Sequence, residues 1–284
     1  MKHITRVARG ERQRTILKLF DSLCNTRSRW QVWSDMVYMF AASISNAVDS
    51  SSNAKARETQ YLSIAKHYTA QQIEQIAKIF AEIVMELDER PDQDMLGELF
   101  MALDLGNEWK GQFFTPYDIC RMMASITSTD IKARIAQDGW ISVNDCACGA
   151  GALLIAFANE CRRPEVYINY QTSVLFVAQD VDMTAGLMCY IQLSLLGCPG
   201  YVVIADSLAH PCTALDRKGL IPPPGEHIWY TPMYFRDIWN YRRMAAQMDL
   251  LIGSCTASVN TEPEEKPCQP EVKKADKYGQ LMLF

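Results

Sequence analysis

The sequence lacks any run of about 18 uncharged apolar residues, the length that a membrane-spanning helix needs. Its first twenty residues contain basic side chains but no continuous apolar stretch before a small-residue cleavage site, so they do not resemble a secretory signal. Histidine is scarce, with four residues, and the pair Cys146 and Cys148 has no second cysteine pair at metal-ligand spacing. We therefore expect a cytoplasmic protein without a metal site and without a membrane partner.

An excess of positive charge is also lacking. Lysine and arginine number 28 against 33 acidic residues, which gives a formal net charge of −5. Any contact with DNA must therefore come from a local basic patch. Basic residues cluster between Arg9 and Arg29, where they either meet phosphates or, as the favoured interpretation, form a solvated helix face.

The remaining composition is that of a globular protein. Of the 284 residues, 49% are hydrophobic, enough to bury a core. The ten cysteines lie mostly in apolar runs, so we expect reduced thiols rather than disulfides. From Glu11 to about Leu105, apolar residues recur every third or fourth position, which predicts helices, with a loop at Asp49–Ala56.

After Trp109 the pattern changes, because short runs rich in valine and isoleucine alternate with helical patterns. This alternation predicts a doubly wound parallel α/β sheet preceded by the helical region. Ala209–Arg243 is predicted as a loop followed by a short helix, and Met248–Ile252 as a fourth strand. The predicted elements are strands at Ile141–Asp145, Ser173–Gln179 and Gly200–Ala205, and helices at Gly151–Cys161 and Thr184–Leu196.

Three domains follow from these patterns. Residues 1–105 form a helical region, and residues 106–253 form the α/β domain. Residues 254–284 are polar with scattered proline, which predicts a disordered tail.

The sharpest chemical signal is the sequence NDCACGAG, which ends at Gly151 and lies between a predicted strand and a predicted helix. Gly149 and Gly151 suit a turn that a ligand approaches closely, next to the free N–H groups of a helix start. Asp180 and Asp206 end the next two predicted strands, where a carboxylate can accept from ribose hydroxyls or from an adenine amine. Each acid alone suits a helix N-cap, but the three strand ends together favour a nucleoside ligand.

Four segments then occur in order between Gly111 and Leu208: GQFFTPYDICRMMASI, NDCACGAGALL, AQDVDMTAGLMCYIQLSLLG and IADSL. In that order they resemble the G-x-[FY]-[FY]-TP, D-P-A-C-G-[ST]-G-x-[FL], G-x-E-[IL]-[DN]-x-x-[TA] and G-[DN]-[ST]-L motifs of the N6-adenine DNA methylases. The resemblance is strongest to the modification subunits of type I restriction systems. The sequence departs from these motifs at Cys146, where the family has proline, at Ala150, where it has serine or threonine, and at Asp180, where it has glutamate.

The resemblance implies a Rossmann-like methyltransferase fold with a pocket for S-adenosylmethionine. Asp180 would hold the ribose and Asp206 the adenine amine. Two further groups are implied, the methionine end at Phe114, Thr115 and Pro116, and the cofactor loop at Asp145, Ala147, Gly149 and Gly151.

The catalytic motif of this family, [ND]-P-P-[FYW], is not found. In the family its amide or carboxylate holds the target amine and its aromatic ring stacks on the flipped base. Here MDLLIG resembles the strand that leads to the motif, but the residues from Ser254 to Ala257 offer neither group. Ile221–Pro224 and Tyr230–Tyr234 are alternative placements that lack the asparagine or aspartate. Catalytic residues are therefore unassigned.

The last five residues, QLMLF, resemble the peptide by which bacterial proteins bind the DNA polymerase sliding clamp. A glutamine amide would form hydrogen bonds while the apolar side chains enter a pocket, on a tether that costs little to dock. The alternative is that this apolar end folds back onto the domain. The residues that would bind the clamp are Gln280, Leu281, Leu283 and Phe284.

Two functional hypotheses follow. The first is an S-adenosylmethionine-dependent DNA adenine N6-methyltransferase, or a modification-subunit-like protein that works with a specificity or partner subunit. The second is a catalytically inactive, DNA-associated protein that kept the fold and is recruited through the sliding clamp. A methyltransferase acting on RNA or a small molecule is a weaker third option. The resemblance implies a bacterial, nucleoid-associated protein.

Overall fold

A computed structural model of the chain describes residues 10–25, 27–50, 53–103, 105, 114–225 and 227–257. By their internal contacts, residues up to Ala246 form one compact unit, and residues from Gln247 onward are grouped apart from it. Within the described ranges, no helix is long and apolar enough to cross a lipid bilayer.

Helices dominate the first part of the chain, and a small sheet follows them. The helices that precede the sheet are α1 (Glu11–Leu23), α2 (Arg29–Asn46), α3 (Asn53–Ala65), α4 (Ala70–Glu89), α5 (Met95–Ala102), α6 (Tyr117–Thr127) and α7 (Ile131–Asp138). The elements that follow are β1 (Ile141–Asp145), α8 (Ala152–Arg162), α9 (Tyr170–Ser173), β2 (Val174–Asp180), α10 (Met183–Leu195), β3 (Gly200–Ile204), β4 (Ile228–Tyr230), a 3₁₀ helix (Pro232–Phe235) and α11 (Asp237–Ala257).

The helical region forms because its apolar residues recur at helical spacing. In α4, Ile76, Ile79 and Ile83 are buried on one face, which packs against α1 through residues such as Ile16 and Phe20. α2 lies against α10, the crossover helix between β2 and β3. The helices and the sheet therefore share one core.

The sheet has the strand order β1-β2-β3-β4, in which the first three strands are parallel and β4 is antiparallel to β3. β2 lies inside the sheet, and all seven of its residues are buried, as is typical of a parallel strand covered on both faces. Phe176 and Ala178 contact the core shared with the helices, whereas Leu175 and Val177 belong to a second core that contains Trp239.

The prediction of a mixed α/β fold with a mostly parallel sheet is confirmed. Each of the three predicted parallel strands is present within one or two residues of its predicted ends, as are the two predicted crossover helices. A doubly wound sheet continues on both sides of its first strand. Among the described residues β1 is an edge strand, so the doubly wound form stays a prediction.

The prediction of a fourth parallel strand at Met248–Ile252 is wrong, because these residues lie within α11. An apolar run of five residues has no periodicity that separates a strand from a helix, and here the helical sequence before it simply continues. α11 extends to Ala257, so the predicted tail from residue 254 begins too early.

Two other boundaries differ from the predictions. The first turn of α3 starts at Asn53, inside the stretch predicted as a loop. The segment predicted as a loop followed by a short helix contains β4, whose three residues pair with β3. A three-residue strand carries too little sequence pattern to be predicted. Its pairing with β3 defines it, and in that position Trp229 is buried. The predicted domain boundary at residue 105 adjoins residues 104 and 106–113, outside the described residues, and stays a prediction.

A buried arginine joins β4 to the helical region. The Arg57 guanidinium lies 2.7 Å from the Asp49 carboxylate and donates to the Ser45 hydroxyl at 2.6 Å and to the main-chain oxygen of Ile228 at 2.5 Å. The guanidinium carbon also lies 4.0 Å from the centre of the Trp229 ring, within the range of a cation–π contact. The Arg57 side chain of α3 therefore packs against β4, the last strand in the order of the sheet.

Candidate functional site

The candidate site lies at the carboxyl ends of the parallel strands. Because β1, β2 and β3 run in the same direction, their last residues meet at one edge of the sheet, where open α/β sheets bind ligands. Asp145 pairs in register with Ala178, and Asp180 pairs with Ile204. The segment Cys146–Gly151, which we name the first βα loop, leaves β1 at this edge and leads into α8.

Hydrogen bonds fix the first βα loop to the neighbouring strand. The Gly149 N–H donates to the Asp180 carboxylate at 2.8 Å, and the Cys148 N–H donates to the main-chain oxygen of Gln179 at 3.0 Å. Within the loop, the Gly151 N–H donates to the Cys148 oxygen at 2.8 Å. The end of β2 therefore holds the loop in place.

Both glycines of the loop are required by geometry. Gly149 has φ of +53° and Gly151 has φ of +94°, values that favour glycine. A Cβ atom at Gly149 would lie 2.9 Å from the Phe114 ring, and one at Gly151 would lie 2.8 Å from the Cys189 sulfur. The sequence-based assignment of these glycines to a tight turn is confirmed by the structure.

The Asp180 carboxylate is 9% exposed and accepts hydrogen bonds at both oxygens, from Gly149 and from the Asp182 N–H at 2.9 Å. A carboxylate oxygen can accept two hydrogen bonds, so acceptor capacity remains for a ligand hydroxyl. Asp145 is half-buried, and its burial raises the pKa of its carboxyl, with the nearby Asp180 charge adding to the effect.

A cleft of about 270 Å³ opens beside this loop. It contains most of the side chains that the sequence assigned to the cofactor, together with apolar walls from α6 and α8. The assigned residues that line it are Phe114, Thr115, Asp145, Ala147, Gly149 and Asp180. Carboxylate acceptors beside apolar walls are typical of a cleft that binds a small molecule.

Three assigned residues do not line the cleft. Pro116 is the exposed N-cap residue of α6. Gly151 is the N-cap residue of α8, at the end of the loop. Asp206 follows β3 in an exposed turn, where one carboxylate oxygen accepts from the Leu208 N–H at 2.8 Å and the Ala209 N–H at 3.2 Å. These bonds lower the pKa of Asp206, and they cap a turn rather than the helix of its alternative interpretation as an N-cap.

The structure places one alternative catalytic segment, Tyr230–Tyr234, away from this edge, whereas Ile221–Pro224 precedes β4 and lacks the asparagine or aspartate. β4 is antiparallel to β3, so its carboxyl end, which leads to Tyr230–Tyr234, lies at the opposite edge of the sheet. There the Thr231 hydroxyl donates to the Cys198 main-chain oxygen at 2.7 Å. MDLLIG lies in α11 rather than in a strand, so the described residues provide no asparagine or aspartate with an aromatic partner from these segments.

The basic residues near the start of the chain are partly used inside the protein. Arg12 forms ion pairs with carboxylates of α4, and Arg29 pairs with Asp21 at 2.9 Å. Arg14 and Lys18 are exposed, as the solvated-face interpretation requires. Arg9 and the clamp-like residues Gln280–Phe284 lie outside the described residues.

Sequence reasoning missed Gln192, which contacts the loop, and Asp94, which contacts Gln192. Gln192, in α10, donates through its amide to the Ala150 main-chain oxygen at 2.9 Å and to the Asp94 carboxylate at 2.8 Å. Gln192 lies within the third of the four segments, AQDVDMTAGLMCYIQLSLLG, but was assigned no role there, and Asp94 lies outside all four segments. One signal was available in the sequence. Gln192 is the single glutamine of a largely apolar helix, and a glutamine buried in such a helix needs a buried polar partner.

Burial raises the pKa of Asp94 to about 6, and the nearby Glu98 adds to the shift, while hydrogen bonds from Gln192 and the Gly97 N–H oppose it. The folded state then binds this proton more tightly than the unfolded state, so stability falls as pH rises through about 4 to 6. Asp94→Asn is neutral at every pH. We expect its unfolding free energy, relative to wild type, to increase on the order of 2 kcal/mol from pH 4.5 to 7.5.

Denaturant unfolding at the two pH values measures this difference. Asp88→Asn, the same neutralisation at an exposed position of α4, is the matched control. Parallel pH curves for Asp94→Asn and wild type would show that the Asp94 proton does not contribute to stability.

Comparison with known proteins gives one match. The family model described as N-6 DNA methylase matches residues 93–245, more than half of the chain. Neither the curated proteins nor the solved structures contain a match. The matched range includes α5, the whole sheet and the first βα loop.

Proposed function

This chain belongs to the N-6 DNA methylase family, and we propose on that basis that it binds S-adenosylmethionine at the carboxyl edge of its sheet and acts on adenine in DNA. The observation that supports the site most directly is the hydrogen bond from Gly149 to Asp180, which brings a glycine-bearing loop and a ribose-type acceptor into one cleft. We also propose that the described strands are part of a doubly wound methyltransferase sheet.

The residues present fit this cofactor. The Asp180 carboxylate has remaining acceptor capacity for ribose hydroxyls, and the turn at Gly149 leaves no side chain between the loop and the Phe114 ring. Thr115, which also lines the cleft, supplies a hydroxyl for the methionine part. S-adenosylmethionine, when bound, supplies a methyl group on a positively charged sulfur.

The protein's own contribution is to bind and orient rather than to exchange protons. Asp145 and Asp180 place negative charge near the position proposed for that sulfur and ribose, in a partly buried cleft where electrostatic interactions are stronger than in water. The residues that would hold the target adenine are not found in Tyr230–Tyr234, which lies away from this edge, or in Ile221–Pro224, which has no asparagine or aspartate. We propose that they come from another part of the chain or from a partner subunit.

Asp206 gives a specific test of the adenine end. One of its oxygens accepts the turn N–H groups, and we propose that the other accepts the adenine amine. Asp206→Asn keeps an oxygen for the turn but replaces the second acceptor by an NH₂ group. We expect wild type to bind S-adenosylmethionine at micromolar strength in isothermal titration, and Asp206→Asn to bind about tenfold more weakly.

Asp216→Asn is the matched control, since Asp216 also accepts main-chain N–H groups in a turn, from Lys218 and Ile221, but does not directly follow one of the parallel strands. Unchanged affinity for Asp206→Asn would remove Asp206 from the site while leaving the cofactor proposal in place. Absence of binding by wild type would reject the cofactor proposal itself.

The helix at Met248–Ile252 favours a second candidate, a non-catalytic DNA-associated protein, because it replaces the strand expected to lead to the catalytic motif. In this candidate Gln280–Phe284 recruit the protein to the sliding clamp. Transfer of a labelled methyl group to adenine in DNA by the chain alone supports the enzyme. Binding of cofactor without transfer, together with clamp binding that is lost when residues 280–284 are deleted, supports the second candidate.

A further inference from the structure

Gln192 is the buried polar centre of an apolar helix. Its side chain is 0% exposed, and its amide uses three hydrogen bonds. The amide nitrogen donates to Ala150 and to Asp94, and the amide oxygen accepts from the Leu96 N–H at 3.1 Å. One side chain on α10 therefore contacts both the first βα loop and the start of α5.

Asp94 completes this connection. It is the N-cap residue of α5, it is 3% exposed, and its carboxylate oxygen accepts from the Gly97 N–H at 3.0 Å as well as from Gln192. Because the same oxygen accepts both bonds, the position of the first turn of α5 determines where the Gln192 amide lies.

The hydrogen bond from Gln192 reaches the first βα loop between its two glycines. Ala150 lies between the two glycines of the first βα loop, and its carbonyl belongs to the peptide group that joins it to Gly151. Fixing this oxygen limits rotation of that peptide group, in addition to the bonds that hold the neighbouring N–H groups of the loop. The neighbouring Gly149 presents its N–H to Asp180, so the loop is held from β2 on one side and from α10 on the other.

We propose that Gln192 and Asp94 are positioning residues, which hold the first βα loop in its ligand-binding form from the helical region. The step from loop position to cofactor affinity rests on the function proposed above. An apolar side chain would fill the Gln192 position without the cost of burying an amide, so a packing role alone does not account for a residue whose bonds all lead to other elements.

The first experiment compares Gln192→Met with wild type. Methionine fills a similar volume but cannot donate to Ala150. We expect amide hydrogen exchange at Gly149 and Gly151 in the cofactor-free protein to become about tenfold faster, and S-adenosylmethionine affinity to fall by a similar factor.

Gln13→Met is the matched control. Gln13 is a buried glutamine of α1 whose amide nitrogen donates to α5, at the Met95 sulfur and the Glu98 carboxylate. It reports the general effect of losing a buried amide next to α5. We expect it to leave exchange at the two loop glycines at the wild-type rate.

A pair of substitutions at Asp94 separates its acceptor role from simple removal of a side chain. Asp94→Asn retains an oxygen that can accept from Gln192 and Gly97, and is expected to retain loop protection. Asp94→Ala lacks the acceptor and is expected to accelerate exchange at Gly149 and Gly151 as Gln192→Met does. Gly97→Ala is expected to act in the same direction, because its Cβ would lie 2.0 Å from the other Asp94 oxygen.

Exchange is measured without cofactor, so this test is independent of the proposed function. Faster exchange at the loop glycines in Gln192→Met and Asp94→Ala, but not in Gln13→Met or Asp94→Asn, supports the positioning role even if wild type binds no cofactor. Loop exchange at the wild-type rate in Gln192→Met would overturn the proposal. Equal acceleration in Gln13→Met would also overturn it, because the effect would then be general.

Discussion

Replacement of Asp180 by alanine is expected to weaken S-adenosylmethionine binding at least about a hundredfold. Two effects combine. The substitution removes the proposed acceptor for the ribose hydroxyls, and it leaves the Gly149 and Asp182 N–H groups without the carboxylate that binds them at 2.8 and 2.9 Å. The loss of charge-assisted hydrogen bonds to a ligand and the loosening of the loop each weaken binding about tenfold or more.

Isothermal titration of the full chain measures the affinity, and circular dichroism confirms folding. Asp182→Ala is the matched control, because it removes the N-cap of α10, which accepts from the Ala185 N–H at 2.9 Å, without removing an acceptor from Gly149. Comparing the affinities of the two variants separates the effect of losing a helix cap from the effect of losing a ligand contact. Wild-type affinity in Asp180→Ala would exclude Asp180 from the site and with it the proposed ribose contact.

Replacement of Arg57 by methionine is expected to lower the unfolding free energy by roughly 3–5 kcal/mol. The Arg57 side chain is 4% exposed and that of Asp49 is 3% exposed, so the substitution leaves a buried carboxylate without its arginine. It also removes the donor to the main chain of β4 and the cation that contacts the Trp229 ring. We expect the edge strand β4 to lose protection from hydrogen exchange before the rest of the sheet.

Denaturant unfolding measures this loss, and two variants control it. Arg12→Met removes an arginine whose side chain is 29% exposed, and is expected to lower the unfolding free energy much less than Arg57→Met does. The double substitution Arg57→Met with Asp49→Leu removes both charges and is expected to recover much of the loss. A loss under 1 kcal/mol for Arg57→Met alone would show that the buried ion pair does not stabilise this edge.

The parallel strands could be predicted because each is a short run of β-branched and aromatic residues bounded by glycine or polar residues. Gly200–Ile204 is an example, since burial on both faces of a parallel sheet requires an unbroken apolar run. The run at Met248–Ile252 looks the same locally but is helical. A run this short satisfies either period, and in the structure its side chains lie largely exposed on a helix that continues from the preceding residues.

The candidate site, like the strands, could be predicted only where its residues satisfy local requirements. Gly149, Gly151 and Asp180 follow from local requirements, namely positive φ at a turn and an acid at a strand end, and the structure brings them together at the first βα loop. Asp206 satisfies the same sequence rule but lies in an exposed turn, because its side chain also binds the N–H groups that follow it in the chain.

The sequence by itself determined the order of elements, the parallel strands and the composition of the first βα loop, because these depend on residues close together in the chain. Only the tertiary structure decided that Gln192 and Asp94 support this loop, that Arg57 lies beneath β4, and that α11 is a helix. The physical reason is that a buried polar group is stable only beside its partner. For Gln192 and Ala150, that partner lies 42 residues away along the chain.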